Sequence, residues 1–199
     1  MMRLDHWLPR PTATATEKHR TVIQAPAATV YRALWTADYG GRIARALLAV
    51  RLIPVLLSDL PHAVARVRRY RAEDSRLTLH TFLRSGFAEL EVVPDQELVL
   101  GLTGRFWTPS GGLTPTTAAT FTAGPPLGQA QVAWNFYIES LETGATVLST
   151  ETRVRVARGT ARTQFLMYWS VVRPFSGLLR RLMQRAVRRE IERVSRASA

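Results

Sequence analysis

The sequence predicts an α+β fold: a curved antiparallel sheet of about six or seven strands wraps around one long C-terminal helix, with two short helices after the first strand. Apolar residues return at helical spacing from Thr160 to Arg196, interrupted by many arginines. Before this helix, residues 87–156 alternate apolar with polar residues and are divided by turn residues. Helical patterns lie only between the first strand and this run, so strands and helices are segregated along the chain.

The composition favours one domain without disulfides. A length of 199 residues predicts a single domain over residues 17–199, after a flexible tail over residues 1–16 that is rich in Pro, Thr and Ala. The chain has no cysteine, and its start has no apolar run that could act as a signal-peptide core. The longest apolar stretch, residues 44–57, contains arginines and a proline and is too short to span a bilayer. We therefore expect a cytoplasmic protein.

The first half of the chain is predicted to hold one strand and three helical segments. Residues 19–25 are β-branched in the middle and predict the strand. Pro26 is tolerated at the start of the first helix, because the N–H that proline lacks would have no helical partner there. A second helix is predicted over residues 42–57. Residues 77–85 are compatible with a strand or with a helix capped by Thr78, and we favour the helix.

The second half is predicted to be a run of strands before the final helix. Residues 94–96 form a turn by composition, and residues 142–145 close a hairpin. The predicted strands cover residues 87–93, 97–106, 118–122, 130–141 and 146–156.

The segment QAPAATVYRAL, residues 24–34, carries a resemblance to a known superfamily. A strand that ends in Ala-Pro, followed by the pair Val30–Tyr31 and by Leu34, resembles the START-like, or SRPBCC, superfamily with its helix-grip fold. The order of elements over residues 18–196 agrees with it, and GLTGRFWTP, VAWNFYIE and LSTETRVRV are similar to segments of uncharacterised bacterial members. The resemblance implies a cavity between sheet and helix. The superfamily includes lipid carriers, hormone receptors and polyketide cyclases, and it has no shared catalytic set to transfer.

Strand alternation assigns one face of the sheet to this cavity. The assigned surface is apolar, with two threonines as its few polar groups, which suits a largely apolar ligand. The alternative is that the same residues fill a core without a ligand. The expected lining is Leu98, Leu100, Leu102, Phe106, Trp134, Phe136, Ile138, Thr150, Thr152 and Val154 from the strands, and Phe165, Tyr168, Trp169 and Val172 from the helix.

Arg105 and Trp107 are candidates for the mouth of the cavity, since they follow a strand next to a glycine-containing loop. Arg105 would meet a carboxylate or phosphate head there, although such an arginine more often lies on the surface or pairs with an acid. Glu151 and Arg153 are predicted to form a solvated pair on the outer face of the sheet.

Motifs for metal, nucleotide and nucleophile chemistry are missing. The four histidines are scattered, and no nucleophile elbow, phosphate loop or dinucleotide fingerprint occurs. We therefore predict no cofactor, no metal and no catalytic residue. His80 could act as a general base in a cyclase-like site, and a surface histidine is the simpler interpretation.

The net charge of +12 is concentrated at the end of the chain, where residues 153–199 carry twelve arginines and two glutamates. A basic amphipathic helix is compatible with a solvated face, with docking to an anionic membrane, or with nucleic-acid binding. No nucleic-acid motif accompanies the charge, so nucleic acid is not an expected partner.

Three functions follow from these observations. The first is binding of a hydrophobic small molecule or lipid in the internal cavity. The second is a polyketide cyclase- or dehydratase-like enzyme, which would need a titratable group such as His80, Glu89 or Glu151 in the cavity. The third is a protein-interaction module, which a filled interior and an exposed apolar patch would favour.

Overall fold

A computed structural model of the chain describes residues 2–41, 76–108 and 112–197. Elements are numbered over these residues. The helices are α1 (Leu4–Trp7), α2 (Ala27–Thr36), α3 (Leu79–Arg84), α4 (Ala118–Thr122) and α5 (Thr160–Ala197), with a 3-10 turn at Arg10–Thr12. The strands are β1 (Ala15–Ile23), β2 (Ala88–Val93), β3 (Glu97–Gly104), β4 (Leu113–Thr114), β5 (Ala130–Ser140) and β6 (Thr146–Val156). The second helix predicted at residues 42–57 lies outside the described residues.

The strands form one curved, open antiparallel sheet, as the sequence predicts. Its order is β1-β6-β5-β3-β2, and β4 pairs with the end of β3. The predicted turn at residues 94–96 is confirmed, with Asp95 at a φ of 61°. Strand β1 starts earlier than the predicted residues 19–25, because Ala15 and Glu17 already pair with β6. The architecture is thus α+β, with a long helix at the end of the chain.

The predictions for two short segments have opposite outcomes. The helix favoured at residues 77–85 is confirmed as α3, and Thr78 caps it by exchanging hydrogen bonds with Thr81. The strand predicted at residues 118–122 is wrong, because these residues form α4. The reason is a capping box in which Thr120 N–H donates to Thr117 Oγ1 at 3.2 Å and Thr117 N–H donates to Thr120 Oγ1 at 2.8 Å.

Helix α5 covers the inner face of the sheet, where two apolar clusters form. The first cluster joins α2, α3 and the C-terminal half of α5 to the sheet around Trp134. The second joins the N-terminal half of α5 to the sheet around Phe165. Alternation had placed Trp134 and Phe136 on one face and Asn135 on the other, and this assignment is confirmed.

The N-terminal residues pack against the outer face of the sheet. Leu4 and Leu8 are fully buried there in a third cluster with Val99 and Phe121. The carboxylate of Glu97 accepts the backbone N–H groups of Arg3 and Leu4, at 2.7 and 3.2 Å. The predicted flexible tail over residues 1–16 is therefore wrong for residues 2–16. Apolar burial and these hydrogen bonds hold the first part, and residues 15–16 belong to β1.

None of the described helices has the length and the apolar character that a bilayer crossing requires.

Candidate ligand site between the sheet and the C-terminal helix

The predicted lining residues all lie on the side of the sheet that α5 covers, but they divide between the two inner clusters. Leu98, Leu100, Trp134, Phe136 and Ile138 belong to the first cluster. Leu102, Phe106, Val154, Phe165, Tyr168 and Trp169 belong to or pack on the second. Val172 is buried, and Thr150 and Thr152 are buried polar residues of β6.

Aromatic rings occupy the first cluster. The ring of Trp134 has its centroid 5.4 Å from that of Phe82 and 4.7 Å from that of Phe136. The guanidinium of Arg180 lies 4.0 Å from the Trp134 centroid, which is a cation–π contact. Thr150 accepts a hydrogen bond from Trp134 Nε1 at 2.7 Å and donates its only proton to Asn135 O at 2.9 Å. Thr150 therefore has no proton left for a ligand.

The two candidate mouth residues have different positions. Trp107 is buried in the second cluster, with its ring centroid 5.7 Å from that of Phe165. Arg105 is exposed and donates through Nε to Gly128 O at 2.8 Å, so it fastens a loop. This corrects the prediction for Trp107, because ring packing places that side chain in the core rather than at an opening.

The inner face of β1 contributes two titratable residues to the contact with α5. The imidazole Nε2 of His19 lies 2.8 Å from Glu17 Oε1, and the Glu17 side chain is only 10% exposed. Gly177 of α5 stands against this pair. A Cβ at position 177 would lie 2.8 Å from Glu17 Oε1, so the helix approaches the pair closely only because the residue is glycine.

Two polar atoms at this place have no hydrogen-bond partner among the described residues. They are Oε2 of Glu17 and Oγ1 of Thr152, and both are buried. Glu17 and Thr152 are register partners across β1 and β6, and such partners have Cβ atoms about 4.5–5.5 Å apart. A ligand group that donates to the carboxylate and contacts the hydroxyl would satisfy both atoms.

A cleft of about 380 Å³ opens beside this pair, between β1 and α5. Glu17 and His19 line it from the strand, and Gly177 lines it from the helix together with two arginines, Arg173 and Arg181. These arginines lie four residues before and after Gly177, so they flank it on the same side of α5. The cleft therefore combines a buried acceptor in its wall with positive charge at its rim.

The titratable groups singled out from the sequence do not face this site. His80 is exposed and its ring lies 5.2 Å from that of Trp35, and Glu89 is exposed. Glu151 and Arg153 are on the outer face, as predicted, but each side chain is only 1% exposed. The predicted solvated pair is thus a buried pair, 2.7 Å apart, because the N-terminal residues cover it.

The sequence reasoning missed Glu17 and His19, although a signal for them exists. Counting back from the buried Ile23 in steps of two gives Thr21, His19 and Glu17 on the inner face. The start of the predicted strand at His19 left Glu17 outside it.

Comparison of the chain with protein-family models gives no match, and comparison with curated proteins gives none either. The assignment of a function therefore depends on the site itself. Within residues 2–41, 76–108 and 112–197, no three His, Asp or Glu side chains converge as ligands for a metal ion.

Proposed function

We propose that the protein is a START-like, helix-grip protein that binds a hydrophobic small molecule or lipid between the sheet and α5. The polar group of the ligand contacts Glu17 and Thr152, and its apolar part lies against the second inner cluster. The proposal requires no metal and no organic cofactor. It places the protein in the cytoplasm, as the sequence predicts.

The observation that carries this proposal is the unpartnered pair of Glu17 Oε2 and Thr152 Oγ1. A buried polar atom without a hydrogen bond costs about 1–3 kcal/mol, and more if it is charged. A ligand that completes the hydrogen bonds of such atoms is one reason for a fold to retain them. Both inner clusters beside this pair are apolar, which supports a ligand that is hydrophobic apart from the completing group.

The chemistry of Glu17 makes a specific test available. An ionised carboxylate only accepts hydrogen bonds, so the ligand must donate one. We expect a long-chain alcohol to bind and its methyl ether, which has no donor, to bind at least about tenfold more weakly. Tryptophan fluorescence titration measures both. Equal affinity for the alcohol and the ether would contradict the proposed position of the polar group.

Two variants test whether the ligand binds at Glu17 and Thr152. Thr152→Val and Glu17→Gln should lower the affinity for the alcohol and reduce its advantage over the ether. Ser149→Ala is the matched control, because it removes a hydroxyl from the opposite face of the same strand, β6. An equal loss in all three variants would indicate a general effect on folding and would count against the site.

A cyclase- or dehydratase-like enzyme is the second candidate, and the contact between His19 and Glu17 favours it. A histidine oriented by a carboxylate is a common general base. His19→Gln should then abolish conversion of a bound substrate while affinity stays within about threefold. Equal recovery of unchanged ligand from wild-type and variant protein would leave binding as the function.

A further inference from the structure

The solvent face of α5 carries a continuous row of residues that changes from apolar to cationic along the helix. Successive members are three or four residues apart, so the row stays within about 80° around the helix axis. The row consists of Met167, Val171, Pro174 and Leu178, followed by Arg181, Arg185 and Arg189.

The apolar half of this row is open to solvent. Met167 is 62% exposed and Val171 is 50% exposed, and Leu166 and Phe175 beside them are exposed as well. Exposed apolar residues occur singly on most proteins, whereas a contiguous stripe indicates a contact surface. The stripe therefore favours an apolar partner.

The arginines of the cationic half hold no other part of the described structure in place. Arg181, Arg185 and Arg189 are exposed, and the structure gives them no hydrogen bond or ion pair with a described residue. Their neighbours differ, since Arg188 donates to Thr21 and Val22, and Arg193 pairs with Glu190. The three free guanidinium groups therefore favour an anionic partner.

We propose that this row docks the protein on an anionic lipid bilayer. The apolar half enters the boundary between headgroups and acyl chains, and the three arginines bind lipid phosphate or carboxylate groups. One plane touches both halves at once, because they share the same side of the helix. The 23 residues from Met167 to Arg189 extend over about 35 Å at 1.5 Å per residue, which suits a flat, extended partner.

Other partners fit the row less well. Nucleic acid would attract the arginines but offers no apolar surface to Met167 and Val171. A second copy of the chain could cover the apolar half, but its own arginines provide no counter-charge for the cationic half. Of these three partners, the bilayer alone satisfies both halves.

The docking surface adjoins the proposed ligand site without depending on it. Pro174 and Leu178 belong to the row and also line the cleft beside Glu17. A bilayer under α5 would therefore lie next to the opening through which a lipid could enter. Vesicle binding is measurable whether or not the cleft holds a ligand, so the two proposals fail separately.

Co-sedimentation with vesicles tests the charge requirement. We expect binding to mixed phosphatidylcholine–phosphatidylserine vesicles and little binding to pure phosphatidylcholine. The triple variant R181Q/R185Q/R189Q should bind about 100-fold more weakly. R32Q/R158Q/R162Q is the control, because it removes three exposed arginines that lie outside the row and leaves the same net charge. Equal losses in both triple variants would overturn the proposal.

A second pair of variants tests the apolar half. M167Q/V171Q should weaken vesicle binding by about tenfold or more, since both side chains would leave the bilayer. L127Q/L141Q removes two exposed leucines elsewhere and should bind like the wild type. Unchanged binding of M167Q/V171Q would overturn the proposal, because nucleic acid or any other polyanion would then explain the arginines equally well.

A fluorescent label reports insertion directly. The chain has no cysteine, so M167C and the control L127C each carry one environment-sensitive dye. The dye at position 167 should shift to the blue when mixed vesicles are added, and the dye at position 127 should not. A dye at 167 that is already shifted in vesicle-free protein, together with a doubled mass, would instead identify a dimer interface and overturn the proposal.

Discussion

The hydroxyl of Thr152 illustrates how one residue can oppose stability and serve binding. It is buried on the inner face, and nothing among the described residues bonds to it. Thr152→Val keeps the shape and removes the unpartnered group, so we expect the ligand-free protein to gain about 1 kcal/mol in free energy of unfolding. The same change should weaken ligand binding. Urea denaturation and ligand titration measure the two effects.

The two readouts distinguish a ligand contact from a structural defect. Ser149→Ala, on the outer face of β6, should change neither of them by a comparable amount. A Thr152→Val variant that is less stable than the wild type would show that the hydroxyl has a protein partner, which would contradict the assignment.

Glu190 of α5 gives the molecule a specific pH dependence. Hydrogen bonds from Arg193, at 2.8 and 3.0 Å, lower the pKa of the Glu190 carboxyl, although burial opposes them. A lowered folded-state pKa contributes stability above the unfolded-state pKa, and that stability is lost as the pH falls through the folded-state value. Urea midpoints measured from neutral to acidic pH should therefore fall less steeply in Glu190→Gln than in the wild type. Parallel curves would contradict this role.

Of the three residues that form the candidate ligand site, the sequence predicted one, Thr152, and missed two. Thr152 was predicted to line the cavity because alternation along β6 gives its face directly. Glu17 was missed because the strand signal is weak before residue 19, and His19 was missed because no face was assigned to the predicted strand that it begins. The absence of a partner for Thr152 depends on every side chain around it, which no local pattern contains.

At the level of elements, α5 accepts two poor helix formers where it faces the cleft. Pro174 and Gly177 cost about 3 and 1 kcal/mol in a helix interior, relative to alanine, and both line the cleft. Gly177→Ala should gain about 1 kcal/mol of stability from helix propensity. The close contact of the new methyl group with Glu17 should cost a similar amount, so the net change in free energy of unfolding should stay below about 1 kcal/mol. Ligand affinity should nevertheless fall, because the new methyl group displaces the Glu17 side chain. Calorimetric titration with the long-chain alcohol checks this.

Ser170→Ala is the control for this change, since Ser170 lies on the exposed side of the same helix. Normal ligand affinity in Gly177→Ala would show that the close approach of helix and strand has no part in binding.

The elements that the sequence predicted well have strong periodic signals. The hairpin of β5 and β6 and the helix α5 follow from clear periods of two and 3.6 residues. The segment at residues 118–122 was assigned wrongly because its threonines suit a strand by propensity, whereas their mutual capping hydrogen bonds select a helix. Cap geometry outweighs propensity in so short a segment.

Across the whole molecule, a buried ionic network on the outer face joins the N-terminal residues to the sheet. Arg153 donates to Leu8 O and pairs with Glu151 and Asp5. Arg153→Met would remove one of three cationic partners of the buried Glu151, which keeps Arg10 at 3.0 Å and Lys18 at 3.9 Å. It would also take from Leu8 O its donor, so we expect a loss of about 1–3 kcal/mol in free energy of unfolding. Urea denaturation tests this, and proteolysis at Arg10 should become faster. A loss below about 1 kcal/mol, typical of a surface pair, would contradict the structure.

This network also shows where prediction from the sequence ends. Alternation placed Glu151 and Arg153 correctly on the outer face. Their burial depends on a segment about 140 residues earlier in the chain, whose apolar residues are few and carry no periodic signal. Such long-range coverage is a tertiary property, and the sequence alone indicated a solvated pair.

The most direct measurement of the central claim is native mass spectrometry of the protein as purified, followed by extraction of any bound molecule. The account predicts a stoichiometric, largely apolar molecule with a hydrogen-bond donor, present in the wild type and depleted in Thr152→Val. A ligand-free mass for both proteins, with no thermal shift from lipids or long-chain alcohols, would contradict a binding site between the sheet and α5.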